Sequence, residues 1–523
     1  MSCRGERVDC RPRRFRMACV NDFASITFAR LGRGFLCAGA LLLALTPAQA
    51  ADVKVVADTL TLHADRTPLR DILQEIHNAG IVVRIDDRIN PPITVTFDKR
   101  NLRDALDRLL EDYDYALVST VIDGPAGRTK RVSEINVYVP GDRRALKPLA
   151  DPGTALSRAQ VPFNKKSILC LKDEVLIRLK KGTSLDAFRA LLSGIGGTVV
   201  DALRATGVYR VHLAPGSDLA DVLKALAENP LVDRAEPNLV YRPVDNVRSD
   251  SAGAADGGST PQVRRNKDGE AAPVAVLDTG LLASAGLKDC VVASLDAVVP
   301  DRPLSDSAGH GTQMALLASG AAVPMGANAG VSPDGVPIIP IRAFDDNGYA
   351  SGFALMNSLT FALDNGARVI SMSWGSPVDS AFFDDAVAYA AQRGAVLVAA
   401  AGNEPTGQPI YPAGCSNVIA VSALASDGTF WPQSNYGGFV SLAAPGFASF
   451  PVGYKGPAGT YAGTSVSTAY AANILAQYFA KHPDATPAQA SAALTQALTH
   501  ADPSAAHSDI GRLDSQAVTT FLK

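Results

Sequence analysis

The second half of the chain carries apolar runs that do not alternate with polar residues and are separated by helix-like stretches. PVAVLD is followed by GTQMALLASGA, PIIPIRAF by FALMNSLTFALDNG, VISMSW by FDDAVAYAAQRG, and AVLVAAAGN comes next. Strands apolar at every position are covered on both faces. With helices between them, these runs predict an α/β domain on a doubly wound parallel sheet over residues 272–523. Sheets of this kind bind ligands beyond the carboxyl ends of their strands. The rhythm differs upstream. Residues 51–145 read as extended LTLHA, helical TPLRDILQEIHNAG, extended IVVRID and PITVTF, helical NLRDALDRLLEDYD, then extended YALVSTVI and INVYVP, a small βαββαβ-like α+β unit. Leu69, Ile72, Leu73 and Ile76, then Leu102, Leu106, Leu109 and Leu110, recur at three- and four-residue spacing, which gives each helix one apolar face to lay on a sheet. A second such unit covers 172–243, as EVLIRLK, LDAFRALLSGIG, TVVDAL, VYRVHLA, DLADVLKALAENP and VDRAEPNLVYR. Residues 244–271 lack apolar periodicity and are rich in Ser, Gly, Ala and charge, so they read as a linker open to cutting.

At 523 residues the chain exceeds a single core, in keeping with several folding units. Its 47% hydrophobic and 19% charged residues are those of a globular protein rather than a disordered one. Arg30 and Arg33 precede an apolar run from Gly34 to Leu45 and then Ala48-Gln49-Ala50, the pattern of a secretory signal peptide over 1–50. Met17 is an alternative start, and Arg13-Arg14 a weaker twin-arginine address. No later stretch is apolar for long enough to span a bilayer, so the processed chain is expected to have no membrane span and to be secreted, to periplasm or exterior. Cys3, Cys10, Cys19 and Cys37 lie in the leader. Cys170, Cys290 and Cys415 remain, too few for a disulfide scaffold, and Cys290 and Cys415 are either a pair or two small hydrophobes. No Cys/His spacing suggests zinc. From residue 271 onward 9 Lys or Arg stand against 18 Asp or Glu, a formal balance of −9 that disfavours a nucleic-acid partner.

Several polar residues fall on the expected rim. Asp278 ends PVAVLD, Ser373 closes VISMS, and Asn403 follows AVLVAAAG; His310, in Gly309-His310-Gly311-Thr312, and Ser465, in Gly463-Thr464-Ser465, each stand where a helical pattern begins. Alone, each has a plain structural explanation as a turn, a satisfied core histidine or a helix cap. Together they supply what amide hydrolysis needs: a hydroxyl nucleophile, a base to take its proton, and an acid to hold the base's tautomer. Ser465 at a helix N-terminus has its own N–H to offer a tetrahedral oxyanion, and the Asn403 amide is a second donor. His310 is the one histidine between His212 and His482.

The order Asp, His, Ser within VAVLDTG, GHGT, AAAGNE and GTS resembles the subtilisin-like (subtilase) serine peptidases over about 273–500, and SMSWGS, YPAGCSNVIAVSA, SNYGG and AAPG match as well. The resemblance implies a subtilisin-like α/β fold, a catalytic triad of Asp278, His310 and Ser465, and Asn403 as oxyanion donor. It implies polypeptide substrates that add to two strand edges, one at Ser373, Trp374 and Gly375 and the other near Gly348 to Ala350, with Gly375 admitting the substrate backbone. The first specificity pocket would lie between Ser373–Gly375 and Ala399–Gly402, whose small or apolar walls favour a large uncharged side chain. Trp374 is either part of that pocket or a core aromatic. No cofactor is required; structural calcium is allowed, and the sequence singles out no metal ligand. Two stretches depart from the family: Val466, Ser467 and Ala469 follow the nucleophile where Met, Ala and Pro are usual, and Gln313-Met314-Ala315-Leu316 replace His-Val-Ala-Gly. None of these groups transfers a proton. Residues 172–243, above all VDRAEPN, resemble the family's inhibitory propeptide, whose tail occupies the cleft as a tethered product. Residues 51–145 resemble, in hydrophobic pattern, the short N-terminal domain of secretins and TonB-dependent receptors, which implies docking to an envelope protein. The expectation is a secreted serine endopeptidase made as an autoprocessing precursor and held by its own propeptide. The alternatives are a docking protein with a decayed peptidase domain, or an acyl-transfer enzyme, esterase or ligase, on the same scaffold.

Overall fold

The structure is a computed structural model that describes residues 52–523 except 57–58, 79–80, 87, 125–126, 142–145, 149–155, 157, 164–165, 215, 250–271, 300–301 and 328–334. The expected leader, and the linker from 250 on, lie outside the described residues. The chain forms two compact units, Met1–Ala145 and Leu146–Lys523.

In the first unit, strand Thr59–Pro68 pairs antiparallel with Asp52–Val56 and with Pro92–Asn101. Val82–Asp86 runs parallel to Gly127–Tyr138, which pairs antiparallel with Asp114–Gly124. Helices Leu69–Asn78 and Leu102–Leu109 lie between strands as expected, and Leu69, Ile72, Leu73, Ile76, Leu102 and Leu106 are buried because their spacing puts them on one face. Strand Asp52–Val56 is an addition in front of the expected order.

The second unit begins with strand, helix, two strands, helix and strand: Lys166–Leu179, Leu185–Gly194, Gly197–Leu203, Val208–Leu213, Leu219–Glu228 and Val232–Pro243. The four strands form an antiparallel sheet in which Lys166–Leu179 and Val232–Pro243 are neighbours. Ser184 and Asp218 cap the two helices through their side chains. This subdomain starts before residue 172, because Ile168 and Cys170 are buried and strand Arg158–Phe163 folds back on Lys166–Leu171. It also ends late, since the expected linker includes the two-residue strand Val247–Arg248, which pairs with Tyr461 and Ala462.

The rest is the parallel sheet. Its seven strands lie in the order Leu295–Asp296, Ile338–Arg342, Val274–Asp278, Val369–Met372, Val396–Ala400, Val418–Leu424 and Leu442–Pro445, every adjacent pair parallel. Alternation sends Val274 and Val276 into the layer of helices His310–Ala318 and Thr464–Lys481, and Ala275 and Leu277 into that of Gly352–Asp364 and Ala381–Gln392. Both faces are therefore dry, which is why the runs read as uniformly apolar. Val274–Asp278 is flanked by a later strand on each side, so its carboxyl end is a topological switch point, and there Asp278 sits. Cys290 belongs to the first layer and Cys415 to the second, so of the two readings of these cysteines the structure has the small buried hydrophobes; no disulfide joins them.

Candidate active site

Asp278 and His310 are 1% and 0% exposed, and His310 Nδ1 lies 2.7 Å from Asp278 Oδ1. Burial opposes a charged imidazole, but the Asp278 carboxylate, its hydrogen bond, and the more distant Asp245 and Asp306 override that and hold the His310 pKa above its ordinary value. His310 Nε2 is buried and has no hydrogen-bond partner among the described residues. An orphaned nitrogen of that kind costs stability and is free to accept a hydrogen bond or a proton. The turn before it is fixed by Asp306, which accepts from Gly309 N, Thr312 N, the Thr312 hydroxyl and the Thr279 hydroxyl, at 2.6–2.8 Å. Gly309 is obligatory, since its φ is +86° and a Cβ would stand 2.2 Å from the carbonyl oxygen of Gly453.

Ser465 stands in the first turn of helix Thr464–Lys481. Asn403 is locked beside it, with Oδ1 accepting from both the backbone N–H and the hydroxyl of Thr464 at 2.9 Å. The departures Val466, Ser467 and Ala469 are all buried, and the Ser467 hydroxyl donates to the Ala444 carbonyl at 2.8 Å, so the space behind the helix turn is filled.

The chain's own residues 240–249 run through this site. Val240 and Tyr241 pair antiparallel with Ser351 and Ala350 on one side, while Arg242 and Pro243 pair with Gly375 and Trp374 on the other. Val244 N–H then donates to Ser373 O at 2.9 Å, and the Ser465 hydroxyl donates to the Val244 carbonyl at 2.9 Å. The Asn403 amide donates to the next carbonyl, that of Asp245, at 2.7 Å. Beyond this point the Asp245 carboxylate meets the Tyr454 hydroxyl and Lys455 Nζ, the Asn246 amide donates to Gln313 Oε1 at 3.2 Å, and Val247 and Arg248 pair with Ala462 and Tyr461.

The chain's own segment meets the edges expected to bind peptides, with three differences from the expectation. The Trp374 side chain is core, fully buried with its indole N–H on Leu277 O at 3.0 Å, and only its backbone meets the passing chain. Gly375 is small for another reason than expected: a Cβ there would strike Ile410 Cδ1 at 2.8 Å rather than the chain. Gly348 does not pair; it turns the loop at φ +74°, and Ala350 and Ser351 form the edge. Sequence reasoning missed Tyr454, Lys455 and Asn246, and noted Gln313 without a role. It also missed two caps: Glu236 accepts from the Ser380 hydroxyl at 2.7 Å and Ala381 N at 3.1 Å, and Asn238 Oδ1 accepts from Phe353 N at 3.1 Å, so the small subdomain closes the N-termini of two helices of the parallel domain. As for calcium, among the described residues only Asp379, Asp384 and Cys415 bring three ligand-type side chains together. A thiol whose pKa is driven far up by burial and by Asp384 does not fit a hard cation.

Comparison with known proteins agrees with this geometry. Residues 269–512 match the Subtilase family, and residues 161–238 match the Fervidolysin N-terminal prodomain. Thermitase of Thermoactinomyces vulgaris is 35% identical over 221 residues, which are 41% of this chain and 77% of that protein. The thermophilic serine proteinase of Bacillus sp. (strain AK1) is 32% identical over 293 residues, 53% of this chain and 70% of that protein. Fervidolysin from Fervidobacterium pennivorans, described as a keratinolytic enzyme related to subtilisin, superposes with a TM-score of 0.53 at 22% identity, covering 67% of this chain and 60% of that one, which speaks for the fold alone. The chain belongs to the subtilase family: it is a subtilisin-like serine endopeptidase with a fervidolysin-like prodomain. Among the described residues no helix is long and apolar enough to cross a membrane.

Proposed function

We propose that Ser465 is the nucleophile of an acyl-enzyme mechanism, His310 its general base, Asp278 the group that holds and stabilises His310, and Asn403 an oxyanion donor, and that the first bond cut is Val244–Asp245 of the chain itself. The observation that carries the reading is the self-segment lying in the site with its Val244 N–H on Ser373 O and its Val244 carbonyl on the Ser465 hydroxyl. Ser465 Oγ adds to the Val244 carbonyl carbon while His310 Nε2 takes its proton, and the oxyanion is held by the Asn403 amide and the Ser465 N–H. The bond to the Asp245 nitrogen breaks, and His310 returns the proton to that leaving amine. A water deprotonated by His310 then frees Ser465 and leaves a carboxylate on Val244. Because the Asn403 amide rests on the Asp245 carbonyl, the Val244 carbonyl must first swing onto it, so the bound pose is inhibitory before it is reactive.

In this reading residues 172–243, with their upstream strand, are an inhibitory propeptide, residues 1–50 direct export, and residues 51–145 dock to an envelope protein. The test is the mass and N-terminus of the secreted protein beside its Ser465→Ala variant, with fluorophosphonate labelling of both. Wild type beginning at Asp245 and labelled, with an uncut and unlabelled variant, is the expected result. If both chains stay uncut and unlabelled, the docking-protein reading replaces this one.

A further inference from the structure

The residues beyond the proposed cut are held differently from those before it, by side chains as well as by backbone. The Asp245 carboxylate accepts from the Tyr454 hydroxyl and pairs with Lys455 Nζ at 3.0 Å. Tyr454 is 6% exposed, its ring edge-on to His310 at 5.1 Å between centroids, and Lys455 Nζ lies 4.7 Å from the centroid of the same ring. The loop carrying both is pinned to the His310 turn, by Lys455 N on Ala308 O at 3.3 Å and by the close packing of Gly453 on Gly309. One position further, Asn246 is 7% exposed and gives its amide N–H to Gln313 Oε1. The Gln313 amide is oriented for this by its own Nε2, which donates to Val452 O at 2.9 Å and so turns the oxygen towards Asn246. Gly463 completes the seat, because a Cβ there would lie 2.4 Å from Asn246 Oδ1. A donor pair aimed at a carboxylate, beside a buried acceptor aimed at an amide, discriminates between side chains in a way that backbone pairing cannot.

We propose that Tyr454, Lys455 and Gln313 make the far side of the cleft selective, so that the enzyme favours polypeptides with an acidic residue immediately after the cut bond and a carboxamide residue next. This rests on Ser465, His310 and Asp278 being the catalytic groups and on the cut at Val244–Asp245. Tyr454 and Lys455 read the first position, and Gln313 reads the second. The propeptide junction Asp245-Asn246 is then the enzyme's own preferred sequence, and foreign substrates that share it are cut ahead of others.

The test uses the processed protein and internally quenched peptides of the form Tyr-Arg-Pro-Val-Xaa-Yaa-Val-Arg, with products identified by mass. A charged hydrogen bond and a partly exposed ion pair together should give wild type about a tenfold higher kcat/KM for Asp than for Lys at Xaa. Lys455→Glu should reverse that order, and Tyr454→Phe should shrink it. Gln313→Val should level Asn against Ala at Yaa while leaving the Asp preference in place. Wild-type rates within about twofold across Asp, Asn and Lys, or an Asp preference unmoved by both Lys455→Glu and Tyr454→Phe, overturn the proposal, as does cleavage after Xaa instead of before it. A valine 4-nitroanilide peptide, which has no residue beyond the cut, separates this failure from the larger one. If wild type hydrolyses it and Ser465→Ala does not, the catalytic reading stands whatever the peptides show; if wild type fails on it as well, the catalytic reading has failed.

Discussion

Before the Val244–Asp245 bond, the passing chain is held by backbone: Val240 to Pro243 pair on two strand edges, and Val244 N–H reaches Ser373 O. After it, the short pairing of Val247 and Arg248 with Tyr461 and Ala462 is supplemented by side chains, Asp245 with Tyr454 and Lys455 and Asn246 with Gln313. Backbone edges accept nearly any extended peptide, because every residue offers a C=O and every residue but proline an N–H. Side-chain seats depend on which residues face each other. One half of the cleft therefore meets the chain through backbone, and the other through backbone and side chains together.

The comparison collapses entirely if the junction is inert. Ser465→Ala should lower peptidase activity by about 10⁶-fold, the usual loss for a triad nucleophile, and leave residues 172–243 attached. Steady-state assay and intact mass check it together. Asn403→Ala, at the same junction, should lower kcat by about 10²–10³-fold with KM little changed, because the amide acts on charge that develops only in the transition state.

The same division decides how much was readable beforehand. The sheet was legible because uniform apolar runs predict two-sided burial, and the residues proposed as the triad stood out because Asp278, His310 and Ser465 are glycine-flanked and stand at strand or helix ends. The backbone edge at Ser373 to Gly375 was expected from the family resemblance, although the roles assigned to Trp374 and Gly375 shifted once Phe383, Leu277 and Ile410 could be seen packing around them. Tyr454 and Lys455 were not, since they occupy an aperiodic loop whose meaning depends on Asp245, a residue 209 positions away from Tyr454. Gln313 was visible as a departure, but its partner Asn246 lay inside what read as featureless linker.

A smaller change sharpens the first half alone. Glu236 caps helix Ala381–Gln392 from the propeptide, through the Ser380 hydroxyl and Ala381 N, and Arg178 and Arg234 meet Asp385 on the same helix at 2.5 and 3.1 Å. Removing a cap of this kind costs about 1 kcal/mol, or roughly a fivefold change in an equilibrium constant. Glu236→Ala should therefore shorten the lag between self-cleavage and full activity several-fold without altering the steady-state rate on peptides. A lag that is unchanged would mean that the backbone pairing alone sets release of the propeptide.

The last effect is the smallest and crosses between the halves. In the proposed mechanism His310 must be neutral to take the Ser465 proton, so the rate should be lost as pH falls through its pKa. Burial works against the charged ring, but Asp278 more than offsets this, and Asp245 and Asp306 add to the upward displacement. Asp278 and Asp306 belong to the enzyme and act in every turnover, whereas Asp245 is present beside His310 only while the self-segment fills the cleft. Self-cleavage should accordingly fail on the acid side at a higher pH than cleavage of a peptide with a neutral residue at that position. Asp245→Asn in the precursor should move the acid limb of self-cleavage to lower pH, towards that of the neutral peptide, because it removes a negative charge that favours the imidazolium. The measurement is the single-turnover rate of processing against pH for the two precursors. If the two limbs coincide, Asp245 acts through recognition alone and its charge does not reach the base.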